Sequence, residues 1–146
     1  MSHVAKSALV PFSAEQMYLL VNDVQHYPAF LPWCSSATVL SQHDNTLDAQ
    51  VTIDVKGIKK SFTTRNTATP HSRIDLVLVD GPFSSLTGYW AFQILKEDAC
   101  KVMLTLDFEF SNQLLAATIG PVFNHIANTM VDAFSQRAHN VYPLPQ

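Results

Sequence analysis

Apolar positions along this chain switch between two repeat lengths, and each switch marks an element. Val4 to Val10 is apolar enough for a strand, which Pro11 ends. Ser13 followed by Gln16 three residues on is a capping-box pattern, with Phe12 and Met17 at the flanking staple positions. A helix should therefore begin near Ala14 and turn Tyr18, Val21 and Leu20 toward a core. Tyr27-Pro28 and Phe30-Leu31-Pro32-Trp33 come next. They predict an irregular aromatic loop, because a residue before proline is pushed out of helical geometry.

From about residue 36 the period becomes two. Ala49, Val51, Ile53 and Val55 alternate with Asp48, Gln50, Thr52 and Asp54, as in a strand with one dry and one wet face. A turn at Lys56-Gly57 leads to a strand from about Ile58 to Ala68. Ile74, Leu76 and Leu78 alternate up to Asp80-Gly81-Pro82, a turn sequence. Leu86, Gly88, Trp90, Phe92 and Ile94 repeat the pattern, as do Val102, Leu104, Leu106, Phe108 and Phe110. Such short connections imply an antiparallel meander. With Ser111 as N-cap, the spacing returns to helical through Leu115, Ile119, Val122 or Phe123, Ile126, Met130, Phe134 and Val141. One helix over about 112–142 would be ~46 Å long, kinked at Gly120-Pro121. The expected class is α+β: an antiparallel sheet whose dry face is covered by the terminal helix, within a single domain spanning 1–146.

Composition sharpens this picture at two points. Charged residues are 14% of the chain, against roughly 25% in an average soluble domain, while 47% are hydrophobic. That excludes a disordered chain and leaves either an uncharged polar surface or apolar surface kept for a ligand or partner. A net charge of -3 excludes a globally basic nucleic-acid binder, and DNA is not an expected partner. Cys34 and Cys100 stand far apart with no metal-ligand spacing, so they read as two thiols in a reducing compartment. The N-terminal segment is too short and polar for a signal-peptide core, and no stretch approaches the apolar run of a membrane span. The expectation is a cytoplasmic protein whose membrane contact, if any, is peripheral, at the inner membrane.

Candidate chemistry is sparse. There is no nucleophile elbow, phosphate-binding glycine loop or metalloprotease motif. His26 beside the aromatic loop and His125 on the last helix could serve as acid/base groups, but no spacing pairs either with a carboxylate, and a surface or structural role is the commoner one. Lys56, Lys59, Lys60, Arg65 and Arg73 supply five of the nine basic residues, and segment 56–73 contains no acid. That run either meets phosphates or protects a sheet edge against aggregation. Phe30, Leu31, Trp33 and Phe83 either close one end of a core or form the rim of an apolar pocket.

Several stretches together resemble one family. They are the run from Ser7 to Tyr18, Val21-Asn22-Asp23-Val24, Tyr27-Pro28, Phe30-Leu31-Pro32, Phe62-Thr63-Thr64-Arg65-Asn66, Val79-Asp80-Gly81-Pro82-Phe83, Leu106-Asp107-Phe108-Glu109-Phe110, and Met130-Val131 with Ala133-Phe134. These are similar to RatA, a family of bacterial ribosome association toxins in the coenzyme Q-binding branch of the START-like (polyketide cyclase/dehydrase) superfamily. The likeness covers nearly the whole chain, and Pro121 in the expected long helix departs from it. The resemblance implies a helix-grip fold, a curved antiparallel sheet around a long C-terminal helix, with a hydrophobic tunnel between them.

Two functions follow from the resemblance. The first is non-enzymatic binding of ubiquinone or another isoprenoid lipid in support of respiration, with no required cofactor. Phe30, Leu31, Trp33 and Phe83 would then control access. Val51 and Ile53, Leu76 and Leu78, Trp90 and Phe92, Leu106 and Phe108 would line the sheet side, and Phe123, Ile126 and Met130 the helix side. The second is association with the large ribosomal subunit to block subunit joining, with Lys56, Lys59, Lys60 and Arg65 on rRNA phosphates. A cyclase-like enzyme ranks last, because the inward strand positions read as almost wholly apolar.

Overall fold

The computed structural model describes residues 1–143; residues 144–146 of the expected domain lie outside the described residues. Strand β1 (Ser2–Val10) is followed by helix α1 (Ala14–Asn22) and a 3₁₀ segment (Val24–Ala29). Six strands follow in succession: β2 (Cys34–His43), β3 (Thr46–Val55), β4 (Ile58–Thr69), β5 (Arg73–Asp80), β6 (Phe83–Lys96) and β7 (Ala99–Phe110). Helices α2 (Gln113–Thr118) and α3 (Gly120–Val141) end the described chain. The sheet order is β1-β7-β6-β5-β4-β3-β2, with every neighbouring pair antiparallel. It is the expected meander, with the first strand brought back beside the last, and the expected α+β class holds.

Local chemistry accounts for the boundaries. The Ser13 backbone N–H donates to Gln16 Oε1 at 2.9 Å, and the Gln16 N–H donates to Ser13 Oγ at 3.1 Å, closing the capping box. Phe12 and Met17 are buried on either side of it. At the β3–β4 turn Lys56 and Gly57 both have positive φ, 50° and 81°, the pairing that suits a two-residue hairpin to strand twist. That turn sets Val55 opposite Ile58 and the whole β3–β4 register with it.

Two expectations are corrected. The single kinked helix over 112–142 is two helices, and Asn112 rather than Ser111 is the N-cap, its Oδ1 accepting from the Leu115 N–H at 2.9 Å. Pro121 falls in the first turn of α3, where no intrahelical partner awaits its missing N–H, so it starts a helix instead of bending one. The 22 residues of α3 give an axis of about 33 Å, not ~46 Å. Its buried stripe is Phe123, Ile126, Ala127, Val131, Phe134 and Ala138, while Leu115 is half-buried and Val141 exposed. The strand β2 has no counterpart among the alternating runs read from the sequence.

Helix α3 lies across the inner face of the sheet and is held by two groups of rings. Phe123 meets Phe62, Phe83, Phe108 and Phe110 with ring centroids 4.8–6.1 Å apart. Eleven residues along, Phe134 meets Tyr27, Phe30 and Trp90 at 5.2–5.3 Å. Edge-to-face contacts of this kind add to the burial of the rings themselves. The space between sheet and helix is thus filled at two places about 16 Å apart along α3.

Candidate functional site: an inner cavity and an outer groove

Between those two ring groups a cavity of about 90 Å³ remains. Its wall takes Val24 and Tyr27 from the 3₁₀ segment, Trp33 from the loop before β2, and inward side chains of five strands. Ala49, Val51 and Ile53 come from β3, Phe62, Thr64 and Asn66 from β4, Leu76 from β5, Leu86 and Trp90 from β6, and Leu104 and Leu106 from β7. Phe123, Ile126, Ala127 and Met130 of α3 close it. Small-molecule sites run to roughly 300–1,000 Å³, so this cavity holds a ring-sized group and not a polyisoprenoid chain.

Beside it lies an open groove of about 590 Å³, lined by Pro32, Trp33, Asp54, Val55, Lys56, Pro121, Val122, His125 and Ile126. Trp33 and Ile126 belong to both walls and separate the two spaces.

Of the residues expected to line a tunnel, Trp33, Val51, Ile53, Leu76, Trp90, Leu106, Phe123, Ile126 and Met130 do line the cavity. Six others are absent from its wall. Phe30 packs its ring on Phe134 under the Arg137 guanidinium, 4.9 Å from the centroid, and Leu31 is core at 1% exposure. Phe83 and Phe108 are consumed by the ring group around Phe123. Phe92 packs with Tyr18 and Trp90 on the side of α1, and Leu78 stands at the Gly81 turn beside Phe62. Of the expected rim, only Trp33 sits between solvent and cavity, because the other three aromatic or aliphatic side chains found closer partners in the core.

The sequence reading missed the polar part of the wall. Thr64 and Asn66 are 9% and 8% exposed, and Thr64 Oγ1 donates to Asn66 Oδ1 at 2.7 Å. Register explains their direction: Thr64 pairs with Ala49 and Asn66 with Leu47, both buried on the inner face, and directly opposed residues share a face. Tyr27 is the only titratable residue in the wall among the described residues. Its hydroxyl donates to the Val21 carbonyl, and burial, with smaller contributions from Cys34 and Asp23, holds it neutral far above the usual tyrosine range.

The histidines stand outside. His26 Nδ1 lies 2.6 Å from Asp23 Oδ2, with both side chains about half exposed or more. His125 is exposed on the groove wall, which Asp54 also lines. Burial pushes the Cys34 and Cys100 thiols up to about 11, away from reactivity at neutral pH. Among the described residues no cluster of His, Cys, Asp and Glu could hold a metal, and no helix is long and apolar enough to cross a membrane.

The basic run is less positive than its sequence. Arg65 Nε and Nη2 donate to the two Asp48 oxygens at 2.9 and 3.1 Å, and this hydrogen-bonded contact holds the Asp48 carboxyl below its usual range. Arg73 Nε donates to Asp75 at 3.0 Å, with its guanidinium 3.8 Å over the Tyr89 ring. Asp48 reaches Arg65 from the neighbouring strand β3, and Asp75 lies on β5 two residues beyond Arg73. Lys56 sits at the hairpin turn, Lys60 pairs with the inward Ile53, and Lys59 faces the other way opposite Asp54. The four expected ribosome-contact residues are therefore three exposed lysines near one hairpin tip and one neutralised arginine.

Comparison with known proteins places these features. Residues 10–135 match the family described as polyketide cyclase / dehydrase and lipid transport. The chain is 51% identical over 142 residues to the ribosome association toxin RatA of Vibrio cholerae, covering 97% of this chain and 99% of that one. It is 45% identical over 141 residues to RatA of Pseudomonas aeruginosa, covering 97% and 98%. A more distant relative, the mitochondrial coenzyme Q-binding protein COQ10 homolog B of Xenopus laevis, is 29% identical over 94% of this chain and 58% of its own length. The fold superposes on the Zhui aromatase/cyclase of Streptomyces sp. R1128 with a TM-score of 0.80 at 19% identity, covering 95% and 94% of the two chains.

Proposed function

The chain belongs to the RatA family, within the START-like group of polyketide cyclase/dehydrase and lipid transport proteins, and on that premise we propose that it associates with the large ribosomal subunit and hinders subunit joining without catalysing a reaction. The observation that carries this reading is 45–51% identity, over nearly the whole of both chains, to proteins named for ribosome association. A non-catalytic role is consistent with a cavity wall whose one titratable group is already committed to a backbone carbonyl. Lys56, Lys59 and Lys60 supply the cations for rRNA phosphates, and the protein acts in the cytoplasm. The test is co-sedimentation of purified chain with isolated large subunits, followed by addition of small subunits. Binding with fewer joined ribosomes is expected. A chain that stays in the supernatant at low salt overturns the proposal.

A second reading is favoured by one observation, the buried cavity with its Thr64-Asn66 pair. Here the chain takes up a hydrophobic small molecule, ubiquinone or a related isoprenoid, in support of respiration and with peripheral contact at the inner membrane. Kinship with the coenzyme Q-binding relative is in line with it. At about 90 Å³ the cavity admits the ring of such a molecule, and its tail would lie along the groove beyond Trp33. Organic extraction of the purified chain and mass spectrometry should recover a quinone or other isoprenoid lipid. Recovery of none, together with none taken up when offered, removes this reading.

A further inference from the structure

We infer that Asn66 is the polar anchor of the inner cavity, its amide donating a hydrogen bond to an oxygen of a neutral, ring-sized, apolar ligand. The inference rests on reading the cavity as a ligand site. Asn66 is more than nine-tenths buried and lines the cavity, yet among the described residues no group accepts from its Nδ2. That nitrogen is not sealed, since among the described residues Ser85 Oγ is the one fully buried side-chain polar atom without a partner, so the donor opens on the space that Asn66 lines, where an acceptor can meet it. The Thr64 hydroxyl is spent on Asn66 Oδ1, which fixes the amide's orientation and leaves the nitrogen as its free end. Thr64 is therefore a positioning residue, and Asn66 the group that touches the ligand.

Position gives the ligand a direction. Asn66 lies four residues deeper along β4 than Phe62, about 13 Å at a strand's rise, while the groove opens at the hairpin end by Val55 and Lys56. The anchor thus stands at the inner end and Trp33 at the mouth. An oxygen-bearing ring enters first and any apolar chain trails into the groove. The ligand class is a quinone, ketone or aryl ether: acceptor oxygens on an apolar ring, without charge, because among the described residues no charged side chain lines the cavity.

The test uses two probes of one shape. Cyclohexanone is a small ring with one carbonyl oxygen and no thiol-reactive double bond, and methylenecyclohexane is the same ring with a methylene group in place of the oxygen. Binding of each to the full chain is followed by titration of amide NMR shifts, including the Asn66 side-chain resonances. Wild type should prefer cyclohexanone about tenfold, the worth of one such hydrogen bond. Asn66→Leu should bind both probes alike, and Thr64→Val, which keeps the shape and the amide, should lose part of the preference. Thr64→Val decides the matter should Asn66→Leu fail to fold. Equal binding of both probes by wild type, or an undiminished preference in the variants, overturns the anchor while the cavity stands as a site. Binding of neither probe overturns the anchor and the cavity reading together.

Discussion

The salt dependence of ribosome binding follows from which cations of the hairpin are free. Each lysine that meets a phosphate releases a counterion and adds about 0.7–0.9 to the slope of log affinity against log salt. Arg65 is held by both oxygens of Asp48, so it is not free for a phosphate, and removing it leaves the Asp48 carboxylate uncompensated. Lys56, Lys59 and Lys60 make three contacts at most, a slope of about 2 to 2.7, which between 50 and 200 mM salt is a loss of roughly 20- to 40-fold. Lys59, with Asp54 directly across the β3–β4 pair, should contribute least. The assay is a filter or sedimentation titration with large subunits at four salt concentrations, for wild type and for Lys56→Ser, Lys59→Ser, Lys60→Ser and Arg65→Ser, singly and combined. The triple lysine variant should lose most of the slope, whereas Arg65→Ser alone should keep the wild-type slope. A triple variant with the wild-type slope would remove the hairpin from the interface. An arginine variant as shallow as a lysine variant would refute the argument from Asp48.

Other expectations concern the scaffold. A Cβ at Gly88 would stand 2.1 Å from the Thr105 carbonyl oxygen and 2.7 Å from Leu106 Cδ2, so Gly88→Ala should cost about 3 kcal/mol or more in urea unfolding, and a change under about 1 kcal/mol contradicts the close approach. Ser13→Ala removes one arm of the capping box and should cost about 1 kcal/mol, a fall of about 2–4 °C in Tm for a chain of this size. Burial sets both thiols at about 11, above their ordinary value near 9. Their contribution to stability is therefore whole below pH 9 and lost as pH rises through 11, and Cys34→Ala/Cys100→Ala should lessen that alkaline decline. Iodoacetamide at pH 8 should leave both thiols of the folded chain intact, and rapid labelling would show that one is accessible as thiolate.

Alternation was legible where a strand has a covered face and an open one. In β3 and β7 the inward residues announce themselves, because Ala49, Val51 and Ile53 or Val102, Leu104, Leu106 and Phe108 leave polar residues between them everywhere but at Met103. The edge strand β2 hides for the opposite reason: in CSSATVLSQH only Cys34 is buried, and Ala37 and Val39 are half-buried, so burial imposes little pattern. Thr64 and Asn66 were overlooked because polar residues on a strand look wet until register is known. Yet the register was written in the two-residue turn at Lys56-Gly57, which sets the paired residue numbers to a constant sum and places Thr64 against Ala49 and Asn66 against Leu47. The Arg65–Asp48 pair was beyond a linear reading, since Asp48 reaches across from β3, whereas Asp75 stands two residues past Arg73, just outside the run that was counted. Rings posed the same difficulty. Phe83 and Phe108 are as apolar as any cavity wall, and only packing shows that Phe123 claims them first.

The return of β1 to the side of β7 carries a cost in time. Ser2 pairs with Phe108 and Val10 with Cys100, so the first strand finds its partner only after about a hundred further residues have been made. During synthesis at the usual 5–20 residues per second, that is on the order of 5–20 seconds in which the strand has no neighbour. The meander from β2 to β7 can zip by local hairpins, each joined by a short turn, while the last edge waits for a long-range closure of the kind that slows folding. A nascent chain stalled before residue 100 should therefore expose its N-terminal strand to protease while the central hairpins are protected.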